Sequence, residues 1–590
     1  MQATQTQIVF TDKARCRDCY RCLRACPVKA IGVRDGQAFV VEARCISCGT
    51  CIRECPQQAK AYRNDLAEAR RLVGEADPVA ASVAPSFAAL LSPWEWRRLP
   101  SALRRLGFTY VSETAVGAFH VAAETARYVE RTPDRPHVCT ACPAVVSYVE
   151  KYRPELIDTL VPVVSPMIAH ARQIRAAHGP RTRVVFIGPC VAKKAEAQRP
   201  EYRRLVHCVL TFRELLDWFE AEDISLSECE ESGFDETPGG AARYFPLPGG
   251  LARTATLHTD LLDEDIVAPS GFEEVFEALE STQGERPPRL IEPLFCPQGC
   301  INGPGMTKPG GVYARRAQVL RFAGNGSNGS RVNGTTDDPG VDLAGVFHPD
   351  PHVAHHRFTE EQIRAELART GKSRPEDQLN CGACGYASCR DKAIAALMGL
   401  AEPEMCIPRM RRLAEQRTDR IIETSPNGII TLNERLEIIH MNPAFRRMFC
   451  CSDAICGRRI SYLMDPEPFE RLTTGQESLV TLTVRHEKYN LLCHEIIYRL
   501  PEERQYVGIF VNITSSQANE EKLRQLQSQT ARQARELLEH QVTMAQQIAR
   551  LLGESTARGE ELVRNLLQYA NDPRNTNEKP AIWGMYTSTS

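Results

Sequence analysis

The sequence predicts a multidomain chain of mixed α/β and α+β class that ends in a coiled-coil helix. Three observations predict it. The 23 cysteines in 590 residues fall into clumps, and the clumps mark domains. Residues ~75–320 alternate helical and strand-like patterns around three sparser cysteine sites. Residues ~417–515 carry short apolar alternations, GIITLN, LEIIHMN, SLVTLTV and YVGIFVNIT, which suit an antiparallel sheet with a few helices. At roughly 150 residues per domain the length allows about four domains.

Composition narrows the function classes. Apolar residues make up 43% and charged residues 25%, ordinary for a globular cytosolic protein. A net charge of -2 provides no field that points to nucleic acid or an anionic membrane, so neither is expected as a partner. No window approaches the roughly 18 apolar residues of a membrane span. The opening MQATQTQIVFTDKARC lacks a basic region followed by an apolar core, so no signal peptide is expected and the chain is placed in the cytoplasm. Cysteines at this density in a leaderless chain argue for metal ligation in a reducing compartment rather than for disulfides.

The first element, 1–65, holds two dense groups. Cys16, Cys19, Cys22 and Cys26-Pro27 read C-x2-C-x2-C-x3-C-P, and Cys45, Cys48, Cys51 and Cys55-Pro56 repeat it. This is the bacterial two-cluster ferredoxin spacing, in which the fourth cysteine of each run ligates the other cluster. By that rule Cys16, Cys19, Cys22 and Cys55 hold one 4Fe–4S cluster, and Cys45, Cys48, Cys51 and Cys26 hold a second. A pair of zinc knuckles is the alternative. Clusters ligated wholly by thiolates leave no open site for substrate, so the role expected here is electron transfer.

The second element, 75–320, carries three segments with chemistry. The first is Cys139-Thr-Ala-Cys142-Pro143, leading into a helix with Val145, Val149 and Tyr152 on one face. The second is Pro189-Cys190-Val-Ala-Lys193-Lys194-Ala-Glu196, entered from the strand-like RVVFIG. The third is Glu292-Pro-Leu294-Phe-Cys296-Pro-Gln-Gly299-Cys300-Ile-Asn-Gly303-Pro304-Gly305. Two of these cysteines stand where a helix is expected to begin, where the dipole and free N–H groups favour a thiolate. Together the segments resemble the signatures of the FeFe-hydrogenase catalytic domain: T-S-C-C-P, P-C-x2-K-K-x-E and E-x-M-x-C-x2-G-C-x2-G-G-G. The resemblance implies an α/β hydrogenase-type domain in which Cys142, Cys190, Cys296 and Cys300 ligate a 4Fe–4S cubane. It further implies that Cys300 bridges to an organometallic di-iron unit, completing an H-cluster, and that Lys193 hydrogen-bonds a cyanide ligand of that unit. Lys193 and Cys300 are thus the catalytic positions implied.

The departures from that pattern matter. The family's proton-relay thiol in T-S-C-C-P aligns with Ala141, whose methyl group can neither donate nor accept a proton. Leu294 stands for the family methionine and Pro304 for the middle glycine of its triplet. Low hydrogenase activity is therefore expected. Cys139, just upstream, reads either as a replacement for the missing thiol or as a plain buried cysteine.

A Gly/Asn/Ser-rich stretch at 324–340 places a flexible linker over 321–360. A small 4Fe–4S domain is expected over 361–415: Cys381, Cys384, Cys389 and Cys406 read C-x2-C-x4-C-x16-C, resembling the four-cysteine cluster domain found beside redox and corrinoid proteins. Zinc is the alternative there. Residues 417–515 resemble a PAS domain through Asn442–Phe445 (N-P-A-F) and a closing strand that runs into Asn512–Thr514. Its cysteines Cys450, Cys451, Cys456 and Cys493 have no cluster spacing, and His440 and His494 fall in strand-like patterns, so no metal role is assigned to them. Over 518–567, Ala534, Leu537, Gln541, Met544, Ile548 and Leu551 recur at 3, 4, 3, 4, 3, an a/d seam. A single amphipathic helix packed on its own PAS domain is the alternative. His540 lacks the flanking residues of a phospho-acceptor. The tail, 568–590, is expected to be disordered.

The favoured functional reading is a sensory FeFe-hydrogenase-like protein, binding or slowly turning over dihydrogen and signalling through its clusters and PAS domain. Its expected partners are dihydrogen, electron-carrier proteins and a separate signalling effector, with a homodimer formed through PAS and coiled coil. Two others stand beside it: a dihydrogen-oxidising hydrogenase that passes electrons to ferredoxin, and a non-catalytic redox sensor that lacks the di-iron unit.

Overall fold

Runs such as VAASV and RVVFIG, apolar at nearly every position, suit strands whose two faces are both covered by helices. The computed structural model describes residues 7–239, 241–257, 265–306, 310–325, 340–350, 358–473, 477–500, 502, 504–514, 530–539 and 541. In it these runs form a four-stranded parallel sheet in the order Tyr110–Glu113, Val79–Val83, Arg183–Gly188, Cys208–Thr211. Leu103, Ile168 and Trp218, from the helices Leu99–Arg105, Pro166–His178 and Phe212–Ala221, share its core. A second parallel sheet has three short strands in the order Ile266–Val267, Leu290–Ile291, His137–Val138. The chain leaves both sheets at their carboxyl ends through the loops that carry the cysteine segments. In open parallel sheets that edge is where ligands bind.

The two N-terminal cysteine runs each wind into a one-turn helix, Arg21–Ala25 and Thr50–Glu54. Antiparallel pairs, Val9–Thr11 with Lys60–Tyr62 and Ile31–Arg34 with Gln37–Val40, close the domain. Helices Glu360–Arg369 and Cys389–Leu397, each started by a capping box, pack through Ile363, Leu367 and Ala393.

The chain divides into two compact units, Met1–Pro403 and Glu404–Ser590. Cys381, Cys384 and Cys389 belong to the first unit, and Cys406 is near the start of the second. The linker expected over 321–360 needs correction. Its first residues finish the helix Val312–Asn325, and Leu343 is buried in the main core with its carbonyl accepting from the Val164 amide at 2.9 Å. Composition over 324–340 could not report on Val341 and Leu343, which have an apolar core within reach.

The second unit is an antiparallel five-stranded sheet in the order Ile438–Met441, Gly428–Leu432, Gln505–Asn512, Leu491–Leu500, Leu479–His486. One face packs on Phe445, Phe449 and Phe469. The other is also apolar, and Ala534 packs on Ile496, Val507 and Ile509 there. The first position of the expected coiled-coil seam is thus engaged with the chain's own sheet, as the single-helix alternative has it. Met544, Ile548, Leu551, His540 and the tail lie outside the described residues. No described helix is long and apolar enough to cross a membrane.

Candidate metal centres

The N-terminal thiols gather in the crossed sets that the spacing rule requires. Cys22 feels the charges of Cys19, Cys16 and Cys55, whereas Cys51 feels Cys48, Cys45 and Cys26. Burial pushes the thiols of Cys22 and Cys45 up to about 11 and that of Cys48 up to about 12. Metal ligation reverses such a shift, because it takes the thiolate. The two halves also match in detail: the Ala30 amide donates to Cys26 Sγ at 3.3 Å and the Ala59 amide to Cys55 Sγ at 3.2 Å.

The second set lies against the sheet domain. Lys151 donates to the carbonyls of Ala43 and Cys45 at 2.9 and 3.0 Å, and the Tyr152 hydroxyl donates to Arg44 O at 2.6 Å. Gly49 touches Pro304 so closely that a Cβ there would overlap its ring.

In the sheet domain three loops bring four cysteines together. Cys142 caps the helix Pro143–Tyr152, whose first residue is a proline suited to that position. Cys190 lies between the strand Arg183–Gly188 and the helix Ala192–Ala197. Cys296 and Cys300 follow the strand Leu290–Ile291, with Cys300 opening the turn Cys300–Asn302. Cys296 feels the charges of Cys190, Cys300 and Cys142. The loops meet at backbone level: a Cβ on Gly303 would stand 2.5 Å from Pro189 O, a closeness that only glycine admits. The amides of Ala192 and Lys193 favour the Cys190 thiolate, but burial outweighs them and pushes that thiol up to about 11.

Beside Cys300 is a cavity of about 100 Å³. Its walls are mostly apolar, and Ser86, Cys139, Ala141, Lys193 and Glu292 line it. Lys193 is buried, with Nζ 2.7 Å from Glu196 Oε2 and 3.4 Å from Ala141 O. The Ser86 hydroxyl is buried with no hydrogen-bond partner among the described residues. Glu292 accepts from the amides of Leu251 and Ala252 at 2.9 and 3.0 Å, yet burial pushes its carboxyl up to about 7. Glu292 belongs to the third cysteine segment of the sequence, and Ser86 to none of its motifs. Only the position of Ser86 just after a strand end hinted at it.

Of the third cysteine group, Cys381 is exposed, Cys384 and Cys389 are half-buried, and Cys406 caps the helix Ile407–Thr424 in the second unit. In that unit Cys450 and Cys456 are exposed, Cys451 is half-buried and Cys493 is in the core; His440 is exposed and His494 half-buried. Among the described residues no three His, Cys, Asp or Glu side chains converge as ligands of one metal ion. A cubane asks for a wider arrangement, since each thiolate binds a different iron.

These loops at the carboxyl ends of a parallel sheet, with four converging thiols and a cavity, decide the relationship. Residues 77–304 match the iron-only hydrogenase large subunit, C-terminal domain. Three further models match: the 4Fe-4S dicluster domain over 8–56, the Fe-S cluster model over 377–408 and the PAS domain over 416–483. The chain is an iron–sulfur protein related both to FeFe-hydrogenases and to cytosolic iron–sulfur assembly factors. It is 29% identical over 286 residues to the cytosolic Fe-S cluster assembly factor NAR1 of Eremothecium gossypii, covering 37% of this chain and 63% of that protein. It is 26% identical over 257 residues to iron hydrogenase 1 of Clostridium pasteurianum, covering 35% and 45%. The chain thus spans less than two thirds of either relative. Among solved structures it is similar to the FeFe-hydrogenase HydA1 of Chlamydomonas reinhardtii, at 18% identity and a TM-score of 0.41, over 49% of this chain and 100% of that one. A PAS domain of an HTR-like protein from Haloarcula marismortui matches 17% of this chain and 99% of its own, at 18% identity and a TM-score of 0.15.

Proposed function

We propose that the protein is a sensory relative of the FeFe-hydrogenases, which binds or slowly turns over dihydrogen and passes the resulting redox state to its PAS unit. The observation that carries this reading is the cavity beside Cys300, walled by Lys193, Glu292 and Ser86. A plain electron-transfer domain has no use for a cavity at its cubane.

In this reading Cys142, Cys190, Cys296 and Cys300 hold a 4Fe–4S cubane, and the two N-terminal sets and the group at 381–406 hold three more. The cavity residues would suit a di-iron unit held beside Cys300. The unpartnered Ser86 hydroxyl and the Lys193 ammonium are donors for polar diatomic ligands, and the apolar walls keep water out. When bound, that unit supplies the metal site at which dihydrogen is split or formed. Protons are then handled by the chain itself. Ala141 offers no acid or base, so Glu292, whose carboxyl is pushed up to about 7, is the group that takes or returns a proton, with the Cys139 thiol beside it. A carboxyl held by two backbone amides on a mostly apolar wall is a slower relay than a thiol at the Ala141 position. Low turnover follows.

A second reading is an iron–sulfur protein with the cubane alone. The relatedness to assembly factors and the loss of the relay thiol at Ala141 favour it. Infrared spectroscopy of anaerobically matured protein separates the two. Carbon monoxide and cyanide stretches that shift under dihydrogen support the sensory reading. Their absence in protein with a full 4Fe–4S complement leaves the cubane-only form, and turnover at the rate of the fast hydrogenases overturns both.

A further inference from the structure

The 381–403 segment is seated on the N-terminal cysteine domain. Val33 N donates to Leu400 O at 2.9 Å, and the amides of Asp35 and Gly36 donate to the Glu402 carboxylate at 2.6 and 3.4 Å. Arg24 reaches Ala383 O at 3.2 Å. Gly385 adopts a φ of +93°, and a Cβ there would stand 2.9 Å from the Leu23 side chain, so loop and domain touch along the Cys22–Cys26 turn.

Within that seat the thiol nearest Tyr386 and Cys384 is Cys26. Tyr386 is buried, and its hydroxyl has no hydrogen-bond partner among the described residues. Its electrostatic neighbours are Cys384, Arg44 and Cys26. Lys29, which donates to the carbonyls of Leu23 and Arg24 at 3.2 Å each, is flanked by the thiols of Cys26 and Cys384. Cys26 belongs with Cys45, Cys48 and Cys51. The same set also meets Lys151 and Tyr152, at the end of the helix that Cys142 caps. The other set, Cys16, Cys19, Cys22 and Cys55, has its first two thiols half-exposed within a loop bearing the exposed Arg15, Arg17 and Arg21.

We infer that the cluster of Cys26, Cys45, Cys48 and Cys51 is the hub of a branched electron circuit. One arm leads to the cubane beside the cavity, and a second leads across Tyr386 to the 381–406 cluster. The first N-terminal cluster is a side branch open to solvent. Electrons released at the cavity pass the hub before they reach the 381–406 cluster, because tunnelling falls steeply with distance and the hub set is the one that neighbours both Tyr152 and Tyr386. The inference rests on the reading that these cysteines carry 4Fe–4S clusters.

The test is pulsed electron paramagnetic resonance on the full, cluster-loaded chain in partly reduced form. Signals are assigned with Cys16→Ser and Cys48→Ser. The double variant C384A/C389A is expected to lose about four irons per chain, one cubane's complement. It should also slow spin relaxation of the hub signal while that of the first N-terminal cluster stays as it was. In the unaltered chain the 381–406 signal is expected to couple most strongly to the hub, a measurement independent of how the variants fold. Strongest coupling to the Cys16 set, or relaxation unchanged despite the iron loss, overturns the circuit alone. Iron content unchanged in the double variant overturns the cluster reading and the circuit with it.

Discussion

Cys139 and Glu292 share one stretch of cavity wall: Cys139 is joined to the neighbouring strand through its amide bond to Ile291 O at 2.9 Å, and the Glu292 charge pushes its already buried thiol further up. Glu292 is itself buried, and desolvation outweighs the two amides that hold it. Between pH 4.5 and about 7 the folded chain therefore binds more protons than the unfolded chain, and Glu292 costs stability as pH rises. Glu292→Gln should remove that slope, worth on the order of 3 kcal/mol across the window. Urea unfolding at a series of pH values checks it; a slope that survives the substitution would place the titration elsewhere.

His170 has the opposite sign. It is fully buried with Nδ1 2.8 Å from Ser82 Oγ, and desolvation pushes its pKa down to about 3. The unfolded chain takes up a proton there below pH 6.5 while the folded chain does not, so stability is lost as pH falls from 6.5 toward 3. His170→Gln, which keeps a polar partner for Ser82, should flatten the acid limb by several kcal/mol. The same urea series separates the two residues, since the two variants tilt the profile in opposite directions.

Lys194 is 0% exposed and bridges two carboxylates, Asp65 and Glu214, each at 2.9 Å, besides donating to Val209 O at 2.7 Å. Lys194→Met leaves the buried Glu214 carboxylate without its cation, while Asp65 keeps Arg63 at 2.6 Å; the loss is about 3–5 kcal/mol. Thermal unfolding should shift by many degrees. Because Asp65 also stands at the exit from the N-terminal domain, hydrogen exchange should rise first around 60–70.

Asn442 holds the entrance to the PAS unit. Its Nδ2 donates to Ile422 O at 2.9 Å and Asn427 O at 2.8 Å, and its Oδ1 accepts from Ile429 N at 2.8 Å and Phe445 N at 2.9 Å. It is 0% exposed, and Asn442→Ala removes four hydrogen bonds to the backbone, the one to Phe445 N fully buried, at a cost of about 3 kcal/mol. Hydrogen exchange of the amides at 428–449 should accelerate while that of 77–304 stays unchanged. Equal acceleration in both regions would count against a local role.

Legibility followed chemistry closely. C-x2-C-x2-C-x3-C-P declares a cluster loop because one short loop must wrap one cubane, and the crossed pairing of Cys26 and Cys55 came with it. The strand RVVFIG is readable for the same local reason. The burial of Leu343 was not, because it depends on a core built from residues more than a hundred positions away. The partner of Ala534 stayed open between the two readings for a related reason: one apolar stripe suits either a second helix or an apolar sheet face.

The sequence by itself determined the cysteine spacing, the alanine at 141 within Cys-Thr-Ala-Cys-Pro and the order of the motifs along the chain, since each is written in neighbouring residues. Tertiary structure decided what no local pattern encodes. It set Glu292 and Ser86 on the wall of a cavity, and it seated the 381–403 segment against Cys26 rather than leaving it a bead on the chain. Both depend on which distant apolar surfaces bury one another, and the hydrophobic effect that drives burial carries no record of sequence distance.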